Sequence, residues 1–337
     1  MFESYASLKQ YNTFGIEAKA KLLTRINSIE ALQELAETNE FKQQNQLVLG
    51  GGSNMLFTRD FDGLVIKNEL HGIELVGEDE NHYYVKAWGG ERWHDLVMYC
   101  VEQGYAGIEN MALIPGSVGA SPIQNIGAYG AEIKDVFHAL DAFHVLDHSI
   151  HTFDLKACAF GYRDSVFKQH EKGKWIILNV TYRLLKRPVL NTAYGAIDQE
   201  LERMGVEHIK ISDVAQAVMA IRSSKLPDPS VIGNAGSFFK NPVVPMEVYR
   251  EIQKHHNNAP CFPIDEAHVK VPAGWLIEKA GWKGKNMGRY GVHDMQALVL
   301  VNYGGATGKE IYDLSSRIIE DIQDRFGITL EREVNIL

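Results

Sequence analysis

Apolar positions recur along this chain in two rhythms, and each stretch has its own. Ile29, Leu32, Leu35 and Ala36 fall on one helical face directly behind Ser28, whose hydroxyl suits a helix N-cap, so a helix is predicted there. Leu47-Val48-Leu49 and Leu64-Val65-Ile66 are short unbroken apolar runs and read as buried strands. From about residue 73 to about 190 strand signals dominate, as in Tyr83-Tyr84-Val85-Lys86-Ala87 and Ile176-Ile177-Leu178-Asn179-Val180-Thr181-Tyr182, rich in branched and aromatic residues. Between these two, Trp93, Leu96, Val97 and Cys100 keep helical spacing, and Gly104 predicts the stop of a helix over 93–103. Ser212-Asp213 reads as the cap of a helix bearing Val214, Ala217, Val218 and Ile221.

The pattern then breaks. Ser223 to Asp228, with Pro227 inside and Pro229 just beyond, reads as a linker. A smaller unit follows: a short helix with Trp275, Leu276 and Lys279 ahead of Gly281, a strand Ala297-Leu298-Val299-Leu300-Val301, and a long amphipathic helix carrying Ile311, Leu314, Ile318, Ile322 and Phe326. Residues 328–337 read as a terminal strand. No internal repeat or low-complexity tract interrupts this order, and the pattern is α+β in three parts.

A length of 337 residues suits two or three domains. The formal net charge of −9 argues against a nucleic-acid partner, which needs a basic footprint, but leaves room for a small anion held by a local Arg/Lys cluster. Cys100, Cys158 and Cys261 are odd in number and far apart, which suits a reducing compartment and neither a disulfide framework nor a zinc site. Met1-Phe2-Glu3-Ser4-Tyr5 does not begin a signal peptide, and no apolar stretch approaches the ~20 residues that span a bilayer, so a cytoplasmic protein without membrane insertion is expected. His144, His148 and His151 flank the turn Asp147-His148-Ser149 and read as solvated histidines of a hairpin; His255-His256 has no carboxylate or cysteine at ligand spacing, and no metal is expected.

Two glycine clusters change the picture. Gly50-Gly51-Gly52-Ser53-Asn54 follows a strand directly, and Pro115-Gly116-Ser117-Val118-Gly119-Ala120-Ser121 continues into Asn125-Ile126-Gly127-Ala128-Tyr129-Gly130. Glycine lets backbone N–H groups converge, and converging amides cradle a pyrophosphate. A tight turn is the plainer explanation of any one such loop. Neither cluster is a dinucleotide fingerprint, since position 55 is methionine, and Gly308-Lys309 is not a P-loop, since Glu310 stands where Ser or Thr would hold magnesium.

The chain carries Gly-Gly-Gly-Ser-Asn at 50–54, the run 114–130, Gly-Tyr-Arg-Asp-Ser at 161–165, Gly-Asn-Ala-Gly-Ser-Phe-Phe-Lys-Asn-Pro at 233–242 and Leu-Glu-Arg-Glu-Val at 330–334, in that order. In these motifs it resembles the UDP-N-acetylenolpyruvoylglucosamine reductase (MurB) family over nearly its whole length. Asn191-Thr192-Ala193-Tyr194-Gly195 resembles the type I branch with its substrate-covering tyrosine loop. The resemblance implies an α+β protein with a two-lobed FAD-binding fold of the vanillyl-alcohol-oxidase (PCMH) type and a smaller α+β substrate-binding domain. It places the lobes at 1–72 and 73–222 and the substrate domain at 223–328, with 329–337 returning to the site. It implies non-covalent FAD, NADPH as electron donor, a UDP-sugar substrate and a monomer.

The resemblance also assigns residues. Arg163 would face the substrate carboxylate, which its planar guanidinium matches. Ser237 would give the proton to carbon, and Glu333, rather than the competing Glu331, would manage charge, either protonated or through Arg163. A serine acid needs donors or cations nearby, and Lys240 and Lys225 are the candidates. Tyr194, Arg222, Lys225, Asn241 and Gln296 would hold the UDP-sugar. Gly50, Gly51, Gly52, Ser53, Asn54, Pro115, Gly116, Gly119, Ser121, Asn125, Gly127 and Gly130 would line the FAD. The tail departs from the family's pattern, with Arg332 where some members have proline and Asn335 where some have arginine. Two rivals stay open: an oxidase of the same flavin fold, and a nucleotide-sugar-binding protein without catalysis.

Overall fold

The computed structural model describes residues 1–194 and 196–337. The chain divides into two compact units, each assembled from separated stretches. The first holds Met1–Ala6, Ala20–Gly51 and Asp62–Ser224; the second holds Ser7–Lys19, Gly52–Phe61 and Lys225–Leu337.

In the first unit four strands pair in the order Glu3–Ser7, Lys19–Ile26, Phe61–Asn68, Gln46–Leu49. The last two run parallel, with Leu47 opposite Val65 and Leu49 opposite Lys67. Helix Ile29–Ala36 covers them, and the Ser28 hydroxyl accepts from Ala31 N as the cap chemistry requires. A second, antiparallel sheet follows, in the order Ile150–Asp154, Phe137–His144, Trp175–Leu185, His82–Trp88, Ile73–Glu78.

Strand Trp175–Leu185 explains its own apolar run, because both of its faces are covered. Ile176 and Leu178 pack with Leu32, Leu35, Leu64, Ile66 and Phe143 on one side. Ile177, Val180, Tyr182 and Leu184 pack on the other against Trp93, Leu96, Val97 and Cys100 of helix Trp93–Gln103, and against Val214, Ala217 and Val218 of helix Ile211–Lys225. Gly104 closes the first of these helices with φ 76°. The second begins at Ile211, one residue before the expected cap, and Asp213 instead reaches back to accept from Lys210 N at 2.8 Å. It also runs through Ser223, Ser224 and Lys225 into the stretch read as linker. No breaker stands there until Leu226, which Pro227 forces out of the helical region.

A buried acid, Glu109, underlies this unit at 2% exposure and accepts from Gly107 N at 2.7 Å. Burial holds its carboxyl above the ordinary value of 4.5, against the pull of that N–H bond. Its stabilising share is therefore complete below the unfolded-state pKa and is lost as pH rises through the folded one. Glu109→Gln removes this loss. The melting-temperature difference, variant minus parent, is expected to grow more positive as pH rises from about 4.5 to about 8. A difference constant with pH, read by scanning calorimetry, would show that the charge is accommodated without cost.

In the second unit strands Gly233–Ser237, Val299–Asn302 and Tyr290–Val292 form one small sheet, and Val243–Pro245, His268–Lys270 and Phe262–Pro263 form another. Helix Gly308–Phe326 starts on a Thr307/Glu310 capping box, which accounts for the Gly-Lys-Glu sequence rejected as a phosphate loop. Residues 7–19 belong here because Phe14 is buried edge-on against Phe238 at 6.2 Å, and Asn302 donates to the Phe14 carbonyl at 2.8 Å. The tail pairs as a strand only at Asn335–Ile336, parallel to Met55–Leu56.

Candidate active site

The first glycine loop leaves strand Gln46–Leu49 and meets the second inside the first unit. A Cβ on Gly51 would stand 2.7 Å from Gly116 Cα, and one on Gly50 would collide with the Ser117 hydroxyl. Only glycine permits this approach. Lys67 fixes the loop from behind, its ammonium donating to the Gly50 carbonyl at 2.6 Å while burial pulls its pKa down. Ser117 Oγ is buried without a hydrogen-bond partner in a turn otherwise stapled by backbone bonds. Two backbones bared of Cβ atoms beside an unsatisfied hydroxyl are what a bound pyrophosphate needs. Gly116 (φ 124°) carries the positive angle that the turn demands.

Other expected cofactor residues hold the loop rather than face outward. The Gly119 N–H is engaged by the Gly89 carbonyl at 2.9 Å, and its missing Cβ allows that contact. Ser121 is buried, its hydroxyl bonded to the Val118 carbonyl at 2.7 Å and to the Tyr182 hydroxyl at 2.9 Å. Asn125 is buried too; its amide donates to Glu132 and to the Gly161 carbonyl and accepts from Lys134 N. Gly127-Ala128 and Ala131-Glu132 pair across Tyr129-Gly130, whose φ angles of 48° and 79° make a two-residue hairpin turn, so Gly130 answers to the turn.

Asn125 links this loop to the Gly161 turn that carries Arg163. Arg163 has φ 53°, and its guanidinium donates to the Gly127 carbonyl at 2.7 Å and the Asn125 carbonyl at 3.5 Å. Leu113, Asn125, Tyr129 and Arg163 all adopt left-handed angles, concentrating backbone strain around the second loop. Tyr194, 47% exposed, stands edge-on to Tyr129 with centroids 6.3 Å apart; Gly195 beside it lies outside the described residues. Arg222 on helix Ile211–Lys225 buries its Nε with no partner. Burial holds its pKa down, and the neighbouring Tyr129 pulls the other way. A guanidinium with a buried, unsatisfied N–H is a ready seat for an anion.

The second unit gathers the rest of the first loop with the tail. Gly52 (φ 62°) accepts from Thr13 N, and a Cβ there would strike the Tyr11 carbonyl. Asn54 donates to the Glu333 carbonyl at 3.3 Å and accepts from both the backbone and side chain of Asn335. Ser237 ends a strand with a register shift between Asn234 and Ser237, where Gly236 takes φ 68°; such a bulge re-aims the residue that follows. Glu333 N donates to the Phe238 carbonyl at 2.8 Å, and Arg332 bridges Phe239, so the tail runs antiparallel beside Ser237.

The two glutamates part there. Lys240 and Glu331 pair through backbone and through an ammonium–carboxylate contact of 2.5 Å, so the competing glutamate is engaged by a lysine. Arg332 turns to helix Gly308–Phe326, donating to Ser315 and Ser316 over the Tyr312 ring, which gives it a structural task. Asn241 and Gln296 meet at the first turn of helix Ala273–Lys279: the former accepts from Ala273 N, and the latter lies 3.3 Å from where a Gly274 Cβ would be. Lys225 is exposed at the end of its helix.

Lys67 has no assigned role in the sequence, and Ser117 and Tyr129 stand in the second glycine cluster without a role of their own. The lysine was signalled by the single charge that ends the buried run Leu64-Val65-Ile66. Among the described residues no group of His, Cys, Asp and Glu could hold a metal, and no helix is long and apolar enough to cross a membrane. Cys100 and Cys158 are core thiols, the latter pushed up to about 12 by burial, so neither is a nucleophile for covalent attachment.

Comparison with known proteins bears on both units. Residues 20–150 match the FAD binding domain family, and residues 228–337 match the C-terminal domain of UDP-N-acetylenolpyruvoylglucosamine reductase. The reductase of Flavobacterium johnsoniae is 48% identical over 336 residues, covering 99% of each chain. That of Amoebophilus asiaticus is 48% identical over 330 residues, covering 98% of this chain and 97% of its own. The crystal structure of the Thermus caldophilus reductase shares the fold with a TM-score of 0.69 at 23% identity, over 98% of this chain and 97% of that one.

Proposed function

The chain belongs to the UDP-N-acetylenolpyruvoylglucosamine reductase family, and from that membership we infer how its residues divide the work. It is a flavin oxidoreductase, a UDP-N-acetylmuramate dehydrogenase. With FAD and NADPH it reduces the enolpyruvyl group of UDP-N-acetylglucosamine enolpyruvate to UDP-N-acetylmuramate, in cell-wall precursor synthesis. FAD, when bound and reduced by NADPH, supplies the hydride that reaches the terminal carbon of the double bond.

The residues supply the rest. The carboxylate makes the alkene a poor hydride acceptor, because negative charge builds on the carbon beside it as the hydride arrives. Arg163 pairs with that carboxylate and lowers the cost of the charge. Ser237 gives its proton to the charged carbon, completing the C–H bond. Glu333 manages charge beside the serine; the observation that carries these roles is the bond from Glu333 N to the Phe238 carbonyl, next to Ser237. Tyr194, Arg222, Lys225, Asn241 and Gln296 hold the UDP-sugar, a reading supported by the buried, unpartnered Nε of Arg222. Gly50, Gly51, Gly116 and Ser117 carry the flavin pyrophosphate, with Gly52, Ser53, Asn54 and Pro115 beside them in sequence; Gly119, Ser121, Asn125, Gly127 and Gly130 brace the loop.

Residues 1–72 and 73–222 are proposed as the two FAD lobes and 223–328 as the substrate domain, although 7–19 and 52–61 pack with the second unit. We propose a monomer as the working unit. Free cysteines fit a cytoplasmic setting.

Arg163→Met tests the assignment. Its kcat/KM for the UDP-sugar is expected to fall about 10²–10³-fold, as when a donor to developing charge is removed, while flavin reduction by NADPH keeps its rate in single-turnover measurements. Equal losses in both half-reactions would assign Arg163 to loop structure alone.

A further inference from the structure

The covering tyrosine is tied down by a residue that lies outside the glycine loops and the Arg163, Ser237 and Glu333 motifs. Asn110 is 3% exposed, on a 3-10 turn over Glu109–Met111. Its carboxamide nitrogen donates twice: to the Tyr129 carbonyl at 3.0 Å and to the Asn191 carbonyl at 2.8 Å. One buried amide thus joins the Tyr129-Gly130 turn to the segment that carries Tyr194. Asn191 closes the ring by donating from its own side chain to the Gly130 carbonyl at 3.2 Å. The contact is close, since a Cβ on Gly130 would stand 2.8 Å from Asn191 Nδ2 and 3.3 Å from Tyr194 Cβ. The outcome is the edge-on pair of Tyr129 and Tyr194, on a tyrosine that is itself half exposed.

We propose that Asn110 is a positioning residue for substrate binding: its double hydrogen bond latches the 191–194 segment onto the Tyr129-Gly130 turn and holds Tyr194 ready over the UDP-sugar. This rests on the reading of Tyr194 as a substrate-covering residue. An exposed loop tip without the latch samples many conformations, and apparent affinity falls in proportion to the fraction that is competent. Asn110 satisfies two backbone carbonyls from the interior and is none of the residues proposed to react. Its loss therefore acts on binding rather than on chemistry.

The test is a thermodynamic cycle on the FAD-loaded enzyme with Asn110→Leu, which keeps the side chain's approximate size and removes both donors, Tyr194→Ala, and the double variant. Asn110→Leu is expected to raise KM for the UDP-sugar about tenfold, the equivalent of two ordinary hydrogen bonds, with kcat changed less than about twofold. In the Tyr194→Ala background the same substitution should add almost nothing. Asn191→Ala, made at an exposed position, should raise KM by a smaller factor and serves if Asn110→Leu does not fold. If Tyr194→Ala leaves KM unchanged, the reading of Tyr194 fails and the latch with it. If Tyr194→Ala raises KM but the Asn110 and Asn191 variants do not, or if the effects multiply independently, the latch is overturned while the reading of Tyr194 stands.

Discussion

Ser237→Ala is expected to lower kcat about a thousandfold, roughly 4 kcal/mol in the barrier, while leaving NADPH oxidation by the flavin at the parental rate. The substitution removes one oxygen from a residue whose backbone pairs with Val299 and whose neighbour Phe238 donates to the Leu298 carbonyl, so the strand and its bulge remain. Only the proposed acid is lost. The defect should therefore sit wholly in the second half of the cycle: in stopped flow the flavin band bleaches with NADPH as before and returns slowly when UDP-N-acetylglucosamine enolpyruvate is added. A normal return would mean that water or another group protonates the carbon. A slow bleach would move Ser237 from catalysis to the cofactor site.

Gly51→Ala should produce protein that retains less than about a tenth of the parental flavin, since removing an atom-on-atom backbone clash requires the loops to part. The added Cβ would stand 2.7 Å from Gly116 Cα, an atom of the main chain that no rotamer change can move. The natural control is Gly77→Ala on the edge strand Ile73–Glu78, where nothing lies within 4 Å of the new Cβ; it should keep its flavin and its melting temperature. Flavin content is read from the absorbance ratio of purified protein, with circular dichroism to confirm folding. A fully yellow Gly51→Ala variant would place the pyrophosphate elsewhere.

Local features of this fold were legible because local chemistry sets them. Ser28 and Gly104 act where their residue types act best, at a helix start and a helix end. The run at 176–182, rich in branched and aromatic residues, reads as a strand, and it is buried along its whole length. What escaped depended on partners distant in sequence. Residues 7–19 and 52–61 carry nothing that assigns them to the C-terminal unit; Phe14 joins it by meeting Phe238 more than two hundred residues later. The tail pairs only at its last residues because it divides its bonds between Phe238–Phe239 and Met55–Leu56, while Arg332 is drawn to Ser315 and Ser316.

The site was legible as motifs and opaque as geometry. Glycine patterns mark where backbones approach, yet only the structure separates Gly51, which faces Gly116, from Gly119 and Gly130, which answer to Gly89 and to a turn. Two glutamates two residues apart have the same chemistry in sequence; the lysine opposite Glu331 and the phenylalanine carbonyl opposite Glu333 distinguish them. Asn110 lies next to a loop motif and looks like any turn asparagine until its two carbonyl partners are seen.

The most direct test of electron flow through this protein is an anaerobic visible spectrum, taken first of the purified protein, then after NADPH, then after UDP-N-acetylglucosamine enolpyruvate. The expected result is a flavin band that NADPH bleaches and the UDP-sugar restores, with UDP-N-acetylmuramate formed in equal amount. A flavin that NADPH bleaches but only oxygen restores would contradict it.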